Sequence, residues 1–162
     1  MFTLTPHQSE EARRAILDAS NRPEVHSAIT SLYADLQKQI DLRRPKCILS
    51  GRCCRFEEFG HRLYVTTLEL ATFLHDLQSS HHPIPPSSAT GCPFQINNLC
   101  SVHQIRPFAC RLFFCDSTST EWQHEQYQSF HTRLRQLHDS LQVPYYYLEW
   151  RQALSLLLTS EF

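Results

Sequence analysis

The sequence is poor in glycine, in excess charge of either sign and in long apolar runs. It has 3 glycines among 162 residues, and a domain that turns often on glycine would need more, so helices joined by proline-led caps are favoured. Its 15 basic residues against 16 acidic ones leave a net charge of −1, which argues against a nucleic-acid partner because phosphate contacts need clustered Lys and Arg. Its longest late apolar run, residues 154–158, is far shorter than the roughly 20 residues that span a bilayer, so no membrane partner is expected.

A targeting segment is also missing from the pattern. Residues 1–7 contain neither the basic stretch nor the apolar core of a signal peptide, which predicts a cytoplasmic protein. Hydrophobic residues make up 41% of the chain and aromatic residues 11%, enough to bury a real core. The length suits one domain over residues 1–162.

Seven cysteines are the most informative feature that is present. An odd number would leave one thiol outside a full disulfide framework, and a reducing cytoplasm also works against disulfides. The thiols form a first and a second cluster along the chain: Cys47, Cys53 and Cys54, and then Cys92, Cys100, Cys110 and Cys115. Thiolates are preferred ligands of zinc and of iron–sulfur centres, so clustering in irregular segments predicts a metal site. Buried free thiols and a redox pair are the alternatives, and the redox pair is weakened because no Cys-x-x-Cys occurs.

The remaining patterns predict a mainly α fold, a small helical domain with irregular cysteine-rich loops and one short β-hairpin around a metal centre. Capping boxes that begin at Thr5 and Thr66 predict helices over residues 6–20 and 67–78. A second helix is predicted from Pro23 by one apolar stripe with steps of three or four. That stripe consists of Val25, Ile29, Leu32, Leu36 and Ile40.

Turn and cap residues continue the prediction through the second half of the chain. Asn97-Asn98 separates two short extended runs and predicts a hairpin turn. Pro107 predicts the start of a short helix, and Thr118 predicts the cap of a long helix to about Gln142. Pro144 predicts the start of a last helix.

The cysteine pattern resembles that of a known family. The matching stretches are CILSGRCCRF at residues 47–56, CPF at 92–94 and CSVHQIRPFACRLFFC at 100–115. They are similar to the CxxCxxCC cysteine-cluster family (the YkgJ-type zinc- or iron-chelating domain), whose pattern continues with Cys-Pro, Cys, Arg-Pro, Cys-Arg and a final Cys. The resemblance covers about residues 45–115 and implies that the seven cysteines bind zinc, iron or an iron–sulfur cluster.

One departure from the family pattern concerns Ser50, which stands where the family has its second cysteine. Serine is a poor metal ligand because its alkoxide is inaccessible at neutral pH. A site that needed this thiolate must be three-coordinate, use water or recruit another group. His103 is the first substitute to consider, since it lies three residues after Cys100 and an imidazole suits zinc or iron. The alternative for His103 is a packed ring, because the family often has an aromatic residue there.

The number of metal ions stays open. Cys53 and Cys54 are adjacent, so their side chains are expected to diverge, with one as ligand and the other bridging, binding a second ion or packing. Seven thiolates and His103 are enough for two tetrahedral zinc sites, or for one site with spare donors. Arg106 and Arg111 lie beside the second cluster, where they either offset thiolate charge or sit at the edge of the core.

Three kinds of function are compatible with these features. The first is a metal-binding protein, structural or metal-handling. The second is an enzyme with an iron or iron–sulfur centre in redox or modification chemistry, since flagellin lysine methylases contain a similar cysteine-rich region. The third is a zinc-dependent adaptor, which the lack of a basic patch disfavours. No nucleophile–base pair or glycine-rich phosphate loop appears, so no catalytic residue is assigned.

Overall fold

The fold is described from a computed structural model, which covers residues 4–86 and 88–158. Residues 1–3, part of the segment searched for a leader, lie outside that range. Helical residues make up 64% of the described chain, so the predicted mainly α fold is confirmed. In chain order the α-helices are α1 (Pro6–Ser20), α2 (Pro23–Arg43), α3 (Phe56–Phe59), α4 (Thr67–Ser79), α5 (Phe108–Leu112), α6 (Thr120–Leu141) and α7 (Trp150–Leu158). The strands are β1 (Tyr64–Thr66), β2 (Gln95–Ile96), β3 (Leu99–Cys100) and β4 (Tyr147–Glu149).

The first two helices form as their sequence signals predict. At α1, the Gln8 backbone N–H donates to Thr5 Oγ1 at 3.2 Å and the Thr5 N–H donates to Gln8 Oε1 at 3.0 Å, which completes the capping box. The apolar stripe of α2 is buried, with Ile29 and Leu36 fully inaccessible to solvent. It packs against α4 and α6. None of the helices in the described ranges is long and apolar enough to cross a membrane.

Helix α4 lies at the centre of the molecule. Its predicted capping box is present, with the Thr66 N–H donating to Glu69 Oε2 at 2.8 Å. The helix contributes Phe73 to one core cluster, which includes Trp150 of α7, and Leu68 to a second core cluster, which includes Ile29 of α2. A helix that is apolar on most of its surface is stable only where other elements cover it, which explains its central position.

The prediction of a helix beginning at Pro144 is wrong. The chain first forms β4, which pairs antiparallel with β1, and α7 begins only at Trp150. Aromatic residues favour strands, and here three tyrosines precede Leu148. One further backbone hydrogen bond extends the β1–β4 pairing at each end. The Thr67 N–H donates to the Tyr146 carbonyl at 3.1 Å, and the Trp150 N–H donates to the Leu63 carbonyl at 2.9 Å.

The predicted hairpin is confirmed. Strands β2 and β3 pair antiparallel across Asn97-Asn98, whose φ angles of 50° and 62° are those of a two-residue type I′ turn. The predicted cap of α6 differs in detail: the Asp116 carboxylate accepts from the Thr118 N–H at 3.0 Å and caps a 3₁₀ turn, and α6 follows from Thr120.

Candidate metal centre

The two cysteine clusters meet because two loops are joined by backbone and side-chain hydrogen bonds. The Cys92 N–H donates to the Cys54 carbonyl at 2.7 Å, and Gln95 Nε2 donates to the Gly51 carbonyl at 2.9 Å. Gly51 has a φ of +67°, and a Cβ there would lie 2.5 Å from the Asn98 carbonyl oxygen. Only glycine permits this approach. The turn after Gly51 therefore brings Cys53 and Cys54 of the first cluster against the segment that carries Cys92 and Cys100 of the second cluster.

Four thiols converge at this junction and are called the sulfur group: Cys53, Cys54, Cys92 and Cys100. The Cys54 thiol, which is only 6% exposed, lies at its centre within hydrogen-bonding reach of the other three. Cys53 and Cys54 follow each other in a 3₁₀ turn, and their side chains converge instead of diverging. All seven cysteines are free thiols.

The thiols around Cys54 favour their charged form. Hydrogen bonding with Cys54, whose single S–H can serve one of these sulfurs at a time, lowers the pKa of Cys53 to about 6 and that of Cys100 to about 7, and it also lowers the pKa of Cys92. The positive charge of Arg106 adds to the effect at Cys53 and Cys100. The pKa of Cys54 itself is raised, first by its hydrogen bond with Cys100. Metal binding requires deprotonated thiols, so this arrangement suits it.

The half-buried Cys110 and the buried Trp150 border the sulfur group. Cys110 on α5 is near enough for its thiol to interact electrostatically with Cys53, Cys92 and Cys100, and burial is the main cause of its raised pKa. The buried indole N–H of Trp150 lies near Cys92, and its hydrogen bond to that sulfur contributes to the lowered pKa of the thiol. An anionic sulfur is the better acceptor for this N–H.

The two remaining cysteines lie apart from the sulfur group's centre. The Cys115 sulfur is 3.5 Å from Ser50 Oγ, so Ser50 faces Cys115. The Lys46 N–H donates to Asp116 Oδ2 at 3.1 Å and holds the segment before Cys47 next to the one after Cys115. Cys47 itself is exposed.

His103 and the arginines take different positions. Arg106 Nη1 lies 2.9 Å from His103 Nδ1 and donates to the His103 carbonyl, so this imidazole nitrogen is already engaged. Burial, with help from Arg106, lowers the pKa of His103 and favours its neutral form. Arg106 faces the sulfur group, whereas the Arg111 guanidinium stacks over the Tyr33 ring at 4.2 Å from its centroid.

The spacing of the thiols limits the kind of centre that they can hold. Among residues 4–86 and 88–158, no three cysteine sulfurs lie within 4.8 Å of one another. In a tetrahedral zinc site with Zn–S bonds of about 2.3 Å, the sulfurs are about 3.8 Å apart. The three thiols around Cys54 are therefore spread more widely than a single tetrahedral zinc ion requires.

Sequence reasoning missed a second group of ligand-type side chains. In the described part of the chain, the only three such atoms within 4.8 Å of one another belong to His26 on α2 and to His75 and Asp76 on α4. His26 Nε2 lies 2.8 Å from Asp76 Oδ1, and the two imidazole centroids are 4.4 Å apart. The adjacent pair His75-Asp76 is the only local signal, because its partner is 50 residues away and the contact depends on helix packing.

Comparison with models of protein families, with curated proteins and with solved structures finds no match for this chain.

Proposed function

We propose that this chain is a metal-binding protein whose metal is held by the sulfur group. The observation that carries the proposal is the convergence of four thiols, from three separate stretches of the chain, around the buried Cys54. Cys53, Cys54, Cys92 and Cys100 would supply the ligands, with Cys110 next to them. The bound metal would supply either a rigid cross-link between the loops or an electron-accepting centre.

Inert packing of the thiols is the competing explanation. A thiol that merely fills apolar space has a raised pKa, as burial produces at Cys110. The pKa of Cys53, Cys92 and Cys100 is lowered instead, and the cationic Arg106 lies near Cys53 and Cys100. The Trp150 N–H near Cys92 also favours an anionic sulfur at this position. Lowered thiol pKa values beside a cationic side chain are typical of thiolate ligands and are not expected of thiols that only fill an apolar core.

The thiolate donor set suits both a single zinc ion and an iron–sulfur cluster. An iron–sulfur cluster separates its cysteine ligands by the width of the cluster, whereas zinc draws its four sulfurs close together. The close approach of Cys54 to the other three thiols fits zinc, whereas the separation among those three fits a cluster. The resemblance to the CxxCxxCC family, with its zinc- or iron-chelating function, supports metal binding without choosing between the two.

Anaerobic purification followed by elemental analysis and an absorption spectrum tests the proposal. We expect bound metal in one of two forms. Zinc at about one ion per chain without sulfide would identify a zinc site, whereas iron together with acid-labile sulfide and a visible sulfur-to-iron charge-transfer absorption would identify an iron–sulfur cluster. A well-folded chain without metal would overturn the function as a whole.

Single substitutions then test the ligand assignment. Cys100→Ser and Cys54→Ser should each remove most of the bound metal, because both thiols belong to the sulfur group and serine does not replace a thiolate. Cys47→Ser is the matched control, since Cys47 is exposed and should be dispensable for metal content. Loss of metal in the control with full loading of Cys54→Ser would show that the ligands are assigned to the wrong cysteines.

A further inference from the structure

A second place in the fold combines metal-ligand chemistry with open space. His26, His75 and Asp76 are all half-buried, and their ligand atoms lie within 4.8 Å of one another. Two imidazoles with one carboxylate form the ligand set of catalytic zinc sites and of non-haem iron(II) sites. Ligand atoms of one such ion are about 3.3 Å apart when the metal bonds are about 2.0–2.1 Å long, so small side-chain movements bring this set together.

A hydrogen bond between packed helices is the simpler explanation for part of this cluster. The 2.8 Å contact between His26 Nε2 and Asp76 Oδ1 needs no metal. It leaves His75 unexplained, because the ring nitrogens of His75 have no hydrogen-bond partner within the described ranges although its ring packs 4.4 Å from that of His26. A cation at this point would use all three side chains and would replace the proton shared by His26 and Asp76.

A cavity of about 570 Å³, open to solvent, adjoins the cluster and is lined by His26 and Asp76. Thr72 also lines it, and its hydroxyl is buried without a hydrogen-bond partner while the residue is 4% exposed. Arg111 lines the same cavity with an unpartnered buried Nε. The wall of the cavity beside the cluster therefore includes polar side chains.

We propose that His26, His75 and Asp76 form a second metal site, for a divalent transition-metal ion, with its remaining coordination positions directed to this cavity. The site has nitrogen and oxygen ligands only and is therefore chemically distinct from the sulfur group. Three protein ligands leave at least one position for water or a small ligand, which is the arrangement of a catalytic site and not of a closed structural one. Thr72 and Arg111 are the groups available to contact that ligand.

The two metal sites can be measured separately. Co²⁺ bound by thiolates gives strong sulfur-to-metal charge-transfer absorption, whereas Co²⁺ bound by imidazole and carboxylate gives only weak visible bands. Titration of the protein as purified with Co²⁺, and in parallel with Zn²⁺ by calorimetry, should reveal one saturable site without the charge-transfer band. If the sulfur group is empty, Co²⁺ bound there is recognised by its charge-transfer band and is counted separately.

Three variants distinguish a metal site from a helix contact. His75→Asn removes a ligand that makes no hydrogen bond, and Asp76→Asn keeps a hydrogen-bonding oxygen for His26 but removes the charge. Each should weaken Zn²⁺ binding by at least about tenfold, since even the loss of a residue that only supports a ligand costs about 10–100-fold in metal affinity. His124→Asn, at an exposed position of α6, is the control and should bind as the wild type does.

Circular dichroism establishes that each variant is folded. Absence of a saturable site in the wild type would overturn the proposal, and so would unchanged binding in both His75→Asn and Asp76→Asn. A charge-transfer band that grows with the first equivalent of Co²⁺ and is unaffected by these substitutions would assign the ion to the cysteines instead.

Discussion

Gly60 and Gly91 have the same left-handed backbone conformation and very different surroundings. Both have a φ of +66°. A Cβ at Gly91 would lie 2.8 Å from the Cys54 carbonyl oxygen, whereas a Cβ at Gly60 would have no heavy atom within 4 Å. That carbonyl also accepts the Cys92 N–H at 2.7 Å, so Gly91 permits the contact that joins the two halves of the sulfur group.

Alanine substitutions at Gly60 and Gly91 distinguish the cost of backbone strain from the cost of disrupting the site. Gly60→Ala and Gly91→Ala should each cost about 1 kcal/mol of stability, because a Cβ disfavours the left-handed conformation. Gly91→Ala should cost about 2 kcal/mol more, since it forces the backbone hydrogen bond between Cys92 and Cys54 apart. Urea unfolding and the metal content per chain measure the two effects. Equal metal content in the two variants would mean that the loop junction does not position the thiols.

Individual residues show how far sequence could predict the site. The motifs made all seven cysteines candidates, but they did not show that Cys54 lies at the centre of the sulfur group while Cys47 is exposed. The expected divergence of Cys53 and Cys54 does not occur, because the 3₁₀ turn directs both side chains to the hairpin loop. Spacing along the chain does not reveal which loops meet, and this junction depends on contacts about 40 residues apart in sequence.

At the scale of elements, one carboxylate connects the starts of two helices. Glu69 Oε2 accepts the Thr66 N–H at 2.8 Å at the start of α4, and Glu69 Oε1 accepts the Phe108 N–H at 3.1 Å at the start of α5. Helix α5 carries Cys110, so the two hydrogen bonds of Glu69 also position Cys110 beside the sulfur group. Glu69 is 2% exposed, and its burial raises its pKa to about 7 despite these two donors.

The raised pKa of Glu69 predicts a pH dependence with a definite sign. The folded state binds the proton of Glu69 more tightly than the unfolded state does. Protonated Glu69 therefore contributes to the free energy of unfolding fully below about pH 4.5, and this contribution is lost as pH rises to about 7. The loss is at most about 3 kcal/mol. Glu69→Gln does not titrate, so its stability relative to the wild type should increase between pH 4.5 and 8.

Urea unfolding of both proteins at several pH values measures this difference, and other titrating groups cancel because both chains share them. A difference that stays constant from pH 4.5 to 8 would show that the pKa of Glu69 is the same in the folded and unfolded states. A difference that changes in the opposite direction would mean that the two N–H donors outweigh burial.

Elements were predictable where their signals are local. The capping boxes of α1 and α4, the stripe of α2 and the Asn97-Asn98 turn each lie within a short stretch of sequence, and each is present in the fold. Strand β4 was missed because it is stabilised by β1, about 80 residues earlier, and an isolated three-residue strand has no sequence period to detect. The proline before it suits a helix start as well as an extended segment.

At the scale of the whole molecule, the candidate metal centre is associated with one part of the core. Cys92, Cys100 and Cys110 pack against the core cluster that contains Phe73 and Trp150. The other core cluster joins α2 and α6 to α4 and includes no cysteine among its described members. Helix α4 contributes to both clusters, as do α1 and α5, so a change at the cysteines can reach α2 and α6 only through these three helices.

Removal of the metal should therefore unfold the molecule in part. A centre that joins the loops at residues 47–54 and 91–110 closes a long segment of chain, and structural metal in small modules contributes about 10 kcal/mol or more of folding energy. We expect the melting temperature to fall by about 10 °C or more, which corresponds to several kcal/mol for a chain of this size. Hydrogen exchange measured by mass spectrometry should accelerate in residues 47–60 and 88–115 while α2 and α6 stay protected.

Verified metal content before and after chelation, with recovery on reconstitution, is the control for this experiment. An unchanged melting temperature in the metal-free protein would contradict a structural contribution of the centre. Loss of protection in α2 and α6 as well would mean that α4 depends on the cysteine loops for its position. The apolar stripe of α2 and the buried Phe130 and Leu134 of α6 argue against that result, because they form a core that needs none of the cysteines.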